Sequence, residues 1–132
     1  MSTAESSPSS SPALLLACLC AAWCPTCVSY QEAFQALAAQ HPEARLVWID
    51  IEDHADALEA GDEDIPDIEN FPTLLLLRDG QAVFHGTVLP HAQVAERLLQ
   101  QAPSLRPLAD ASVRALARAV AGLAADPALD MG

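Results

Sequence analysis

Leu14 to Cys20 is an unbroken apolar run, the pattern of a strand buried on both faces. From Cys24 the period changes. Cys27, Tyr30, Phe34 and Leu37 recur at three- and four-residue steps, which marks one face of a helix. That helix is predicted to end near Gln40, because Pro42 disfavours the helical conformation at His41. Leu46 to Ile51 reads as a second strand, and Asp53 to about Gly61 as a short acidic helix running into a polar loop. Thr73 to Leu77 is a third strand, and Asp79-Gly80 is a hairpin signal leading into a fourth from Gln81 to His85. Pro90 suits a helix start, with Val94, Leu98 and Leu99 as the apolar face to about Gln100. A last helix is predicted from Leu108 to Ala124, striped by Val113, Leu116, Val120 and Leu123.

The order β-α-β-α-β-β-α needs a right-handed crossover for the first parallel pair and then an antiparallel hairpin. The fold class is therefore α/β: a central mixed sheet of about four strands flanked by helices, with an extra C-terminal helix. A crevice is expected where the first strand feeds its helix, at Cys24. The Ser- and Pro-rich residues 1–13 read as disordered, 14–101 as the domain, and 102–132 as a helical extension and tail.

Composition removes several function classes. The 132 residues carry eighteen carboxylates against six arginines and no lysine, a formal charge of −12. No cationic cluster is present to neutralise phosphates, which argues against nucleic acid and anionic membrane as partners. Ten of the carboxylates lie between Asp50 and Glu69 without the spacing of a calcium loop, so a solvated helix face and loop accounts for them. The run Leu14 to Cys18 invites comparison with a lipoprotein signal, but no Lys or Arg precedes Arg45, and no stretch approaches a membrane span.

All four cysteines fall between Cys18 and Cys27, too close together to staple distant segments. That pattern suits a reducing cytoplasm or a working redox site. Trp23-Cys24-Pro25-Thr26-Cys27 contains a C-x-x-C pair. Pro25 fits the first helical position, which makes Cys24 the N-cap. Its sulfur then faces the free amides and the positive end of the helix dipole, both of which stabilise thiolate over thiol. Cys27 lies one turn on, along the stripe with Tyr30 and Phe34, and is expected to be shielded. Cys24 would attack a disulfide and Cys27 would resolve the mixed disulfide. Cys18 and Cys20 sit inside the apolar strand, where they read as small hydrophobes. A four-thiolate metal site is the alternative for all four cysteines. None of the histidines His41, His54, His85 and His91 has a spacing that recommends it as a ligand or base.

At this point the chain resembles the thioredoxin family. The resemblance rests on Trp23-Cys24-x-x-Cys27 after a buried strand, Phe71-Pro72-Thr73 opening the next long strand, the Asp79-Gly80 hairpin and Gly86 after it, and it spans about Leu14 to Gln101. It implies a thioredoxin-like fold without the family's usual first strand and helix. It also implies that Pro72 is cis and faces the two cysteines, and that Trp23, Phe71, Pro72 and Thr73 form the surface where a substrate segment lies extended. Cys24 would be the nucleophile and Cys27 the resolving thiol. The chain departs from the family in several places. Pro25-Thr26 replaces Gly-Pro, Cys18 stands where the family carries a buried acid, and Trp48 where a lysine accompanies that acid. Cys20 replaces an aromatic, and Val28 a basic residue.

These readings converge on a thiol–disulfide oxidoreductase, a protein-disulfide reductase needing no bound cofactor and no metal. It would serve disulfide-containing protein substrates, draw electrons from a separate reductase or dithiol, and act as a cytoplasmic monomer in redox homeostasis. A thioredoxin-like binding or escort module with vestigial or regulatory cysteines is the alternative, and a metal–thiolate scaffold is a third.

Overall fold

The apolar run from Leu14 becomes an interior strand of the sheet, and its alternation of faces organises everything around it. The computed structural model describes residues 13–58, 65–66, 68 and 70–131. Its elements are β1 (Leu14–Cys20), α1 (Pro25–Gln40), β2 (Ala44–Asp50), α2 (Ala55–Leu58), β3 (Thr73–Arg78), β4 (Gln81–Thr87), α3 (Ala92–Gln101) and α4 (Ala111–Leu123), with 3₁₀ turns at Ala102–Ser104 and Pro127–Leu129. The N-terminal segment expected to be disordered lies, except for Ala13, outside the described residues, as does the expected end of the acidic helix at 59–61. Among the described residues no helix is long and apolar enough to cross a membrane.

The four strands run in the order β2-β1-β3-β4. β1 pairs parallel with β2 and antiparallel with β3, and β3 pairs antiparallel with β4, so the sheet is mixed as expected. The β3–β4 turn holds Asp79 at φ 53° and Gly80 at φ 83°. Two positive φ values in succession fit the twist of a two-residue hairpin, which is why Asp-Gly signals one.

Successive side chains of a strand point to opposite faces. Leu16, Cys18 and Cys20 of β1 therefore join Leu46, Leu74 and Leu76 on one face, under Tyr30, Phe34 and Leu37 of α1 and Ala95, Leu98 and Leu99 of α3. Ala17 and Leu19 join Val47, Ile49, Leu75 and Leu77 on the other, under Leu58 of α2 and Val113, Leu116, Ala117 and Val120 of α4. The C-terminal helix thus covers one of the two faces of the sheet, together with α2, and is no loose appendage. Asp110 caps it, its Oδ1 accepting from the Ser112 and Val113 amides at 2.8 and 3.3 Å.

α1 stops at His41, whose backbone has left the helical region at φ −128°, ψ 67°. The His41 ring lies between Glu43, 2.9 Å from Nδ1, and Glu96 of α3, 3.2 Å from Nε2. The Glu43 carboxylate is the main cause that raises the ring's pKa above its ordinary value, and Glu96 adds to it. A raised folded-state pKa means stabilisation fully present below the unfolded value of about 6.5 and lost as pH rises through the folded one. Thermal melts of the native chain and a His41→Asn variant should therefore differ most near pH 5 and converge above neutrality. A gap that widened as pH rose would contradict this linkage.

Candidate active site

β1 ends at Cys20, and α1 begins at Pro25, leaving a short loop that carries Trp23 and Cys24. Cys24 is the N-cap, extended at φ −86°, ψ 113°, and its side chain makes no capping hydrogen bond. Its amide donates to Ala21 O at 3.0 Å and its carbonyl accepts from Val28 N at 3.1 Å, closing the first turn. The other side of the loop is tied to the end of β2. Ala22 N donates to Asp50 Oδ2 at 2.8 Å, while Oδ1 accepts from the Glu52 and Asp53 amides at 2.8 and 3.1 Å. Asp50 therefore fixes the thiol loop against the sheet. Nothing in the one-dimensional pattern singled it out, because its role depends on β2 lying beside β1.

The sulfurs differ in exposure and bonding. Cys24 is partly exposed with a free thiol, and Cys18 is free and buried. Cys27, on the buried stripe of α1 as expected, is bonded to Cys20 in a disulfide with a Cα–Cα distance of 5.9 Å. Cys20 had read as a small hydrophobe, and it is a bonding partner instead. The reason is geometric: as the last residue of β1 it faces the helix side, directly against the first turn of α1. Cys18, two residues earlier on the same face, places Sγ 3.5 Å from Cys20 Sγ. Burial pushes the Cys18 thiol far above its ordinary range, so it stays protonated. Burial raises the Tyr30 phenol in the same way, with Cys18 a lesser cause. Tyr30, Phe34 and Trp48 pack around one another with ring centroids 5.8–6.5 Å apart, roofing this sulfur layer with apolar surface.

Around Cys24 the surface is apolar. Trp23, next to Cys24 in the chain, is 64% exposed and meets Phe71 edge-to-face, centroids 5.6 Å apart, and Val28, in the first turn of α1, is exposed as well. The Phe71–Pro72 bond is cis, as the resemblance implied. Pro72 and Thr73 are buried. The Pro72 carbonyl accepts from Val88 N at 3.0 Å, and Thr73 Oγ1 donates to Asn70 O at 2.7 Å. Of the four residues expected to meet a substrate, Trp23 and Phe71 therefore offer side-chain surface. Thr73 opens an interior strand, paired on both sides, and its side chain is used up within the fold. Among the described residues no group of three or more His, Cys, Asp or Glu side chains is arranged to hold a metal ion.

A family model described as Thioredoxin matches residues 6–100. No curated protein sequence matches the chain. Among solved structures, a mutant thioredoxin from Halobacterium salinarum is 27% identical, with 71% of this chain and 78% of that chain covered at a TM-score of 0.55. Mitochondrial thioredoxin 3 from Saccharomyces cerevisiae, in its oxidised form, is 22% identical over 67% of this chain and 77% of its own, also at 0.55. Fasciola hepatica thioredoxin is 20% identical over 67% and 80%, again at 0.55. A fold of this kind with a disulfide-forming cysteine pair supports thiol–disulfide redox chemistry.

Proposed function

Because the chain belongs to the thioredoxin family, we propose that it is a protein-disulfide reductase working through Cys24 and Cys27. The observation that carries this reading is a partly exposed free thiol at a helix N-cap, one turn from a buried cysteine that forms disulfides. Cys24 Sγ, as thiolate, attacks one sulfur of a partner's disulfide, and the partner's other sulfur leaves with the electron pair. Cys27, as thiolate, then attacks Cys24 Sγ, forming Cys24–Cys27 and expelling the partner's second thiolate. Two electrons pass to the partner, and an external dithiol or reductase returns them. No bound cofactor is needed. The exposed Trp23–Phe71 pair gives the partner chain an apolar surface beside the nucleophile. The reducing cytoplasm is the compartment this chemistry suits.

The experiment is reduction of a protein substrate held by interchain disulfides, with dithiothreitol as electron donor. Catalytic amounts of the protein should accelerate reduction well above dithiothreitol alone. Reversible thiol oxidation with no acceleration would leave an escort module as the better reading.

A further inference from the structure

We propose that Cys20 is a third redox cysteine, which takes Cys27 from Cys24 so that the resting oxidised protein carries a buried Cys20–Cys27 disulfide and a free Cys24. The bond is formed in the structure, with Cα atoms 5.9 Å apart, in the usual range for a disulfide. Where the exchange belongs to turnover, it rests on the reductase reading above; the disulfide itself does not.

The exchange balances without any added oxidant. Cys20 loses its proton and attacks Cys27 Sγ of the Cys24–Cys27 disulfide. The Cys20–Cys27 bond forms, and the Cys24–Cys27 bond breaks. The electron pair departs on Cys24 Sγ, and the proton given up by Cys20 passes to that sulfur or to the solvent beside it. The number of disulfides is unchanged.

Burial gives the direction. Cys20 and Cys27 are each 1% exposed, and Cys24 is the only one of the three that meets water. With the bond at Cys24–Cys27, the free thiol is Cys20, in a layer where burial disfavours ionisation; with the bond at Cys20–Cys27, the free thiol is Cys24, which solvent lets ionise. Moving the bond inward places the neutral group in the core and returns the ionisable one to solvent. Cys18 completes the arrangement. Its protonated thiol lies 3.5 Å from Cys20 Sγ and can donate to that sulfur. Two inward-facing cysteines of β1 and one of α1 thus form a layer behind the exposed nucleophile.

The consequence is specific. A site with two cysteines loses its nucleophile on oxidation. Here the oxidised protein keeps Cys24 free while Cys27 is withheld, so a mixed disulfide at Cys24 has no resolving thiol and persists until the buried bond is reduced. Oxidation would convert a turning-over dithiol into a one-thiol capture site.

Peptide mapping tests this directly. The full chain is oxidised with a dithiothreitol redox buffer, denatured in N-ethylmaleimide, and cut by chymotrypsin after Trp23. That cut separates Cys18 and Cys20 from Cys24 and Cys27. The expected product is two peptides joined by Cys20–Cys27, with Cys18 and Cys24 alkylated. A single peptide holding Cys24–Cys27, with Cys20 alkylated, would overturn the proposal. A Cys24→Ser variant should still form one internal disulfide, and failure to do so would also overturn it. If the inner bond dominates by tenfold, a Cys20→Ala variant should oxidise at least about tenfold less favourably against the same buffer. An unchanged midpoint would count against Cys20. Mapping reads the bond and the reduction assay reads turnover, so each reading can fail without the other.

Discussion

A Cys24→Ser variant is expected to lose protein-disulfide reduction altogether, falling to the rate of the added dithiol, while its melting temperature stays level or rises. A serine hydroxyl is far less nucleophilic than a thiolate, so the first covalent step has no attacking atom. The fold should not suffer. Cys24 makes no capping hydrogen bond, and serine is among the preferred N-cap residues, where such a bond contributes about 1 kcal/mol. Loss of activity with retained stability separates a chemical role from a structural one. The Cys27→Ser variant should behave differently, accumulating mixed disulfides between Cys24 and substrate proteins because the resolving sulfur is gone. Repeating it with Cys20→Ala removes any release by the inner cysteine, so adducts that last longer in the double variant would show Cys20 reaching Cys24. If Cys24→Ser reduced substrate at the native rate, the assignment of the nucleophile would fail.

The sheet was legible because its strands announce themselves in composition. β1 coincides with the apolar run Leu14 to Cys20, and β3 with Thr73 onward, extended by Arg78. Boundaries set by pairing were less visible. β2 starts at Ala44 instead of Leu46, since Ala44 is the ladder partner of Leu14, and it ends at Asp50 one residue before Ile51. β4 continues past His85 to Thr87 because Thr73 and Leu74 of β3 pair with Thr87 and Gly86. α3 starts after His91, leaving Pro90 outside the helix.

The site shows the same division. A cysteine at a helix start, followed by a proline, can be read from the chain, and so can the buried stripe carrying Cys27. The Cys20–Cys27 bond cannot, because it joins a strand end to a helix turn through space and no spacing rule links them. The available signal was the period of two that sends Cys18 and Cys20 to one face. It becomes a bond only once α1 is known to cover that face. Asp50 was hidden for the same reason: an acid at a strand end among many acids gains its role from the neighbouring loop.

Removal of α4, in a chain ending at Arg106, is expected to abolish cooperative folding of the monomer. Such a chain keeps the Arg78 guanidinium's hydrogen bonds to the Ala102 and Leu105 carbonyls, both 2.6 Å, so the end of α3 is intact; with α4 it loses the tail, where Asp130 pairs with Arg45 and the Met131 amide donates to Leu46 O. The helix covers Leu19, Val47, Ile49, Leu75 and Leu77, all no more than 2% exposed in the full chain. Each large apolar side chain returned to water costs about 1.5–3 kcal/mol, and a domain's whole stability is about 5–15 kcal/mol. Partial uncovering of this face is therefore enough to erase the margin. A milder probe is Leu116→Ala at a fully buried position, with an expected loss of about 2–5 kcal/mol. Circular dichroism melts, dye binding to exposed apolar surface and size-exclusion chromatography read the outcome. The truncated chain should show no sharp transition, or should recover one only as a dimer in which a second copy covers the bare face. A truncated monomer melting within a few degrees of the full chain would mean that α4 contributes little to the core.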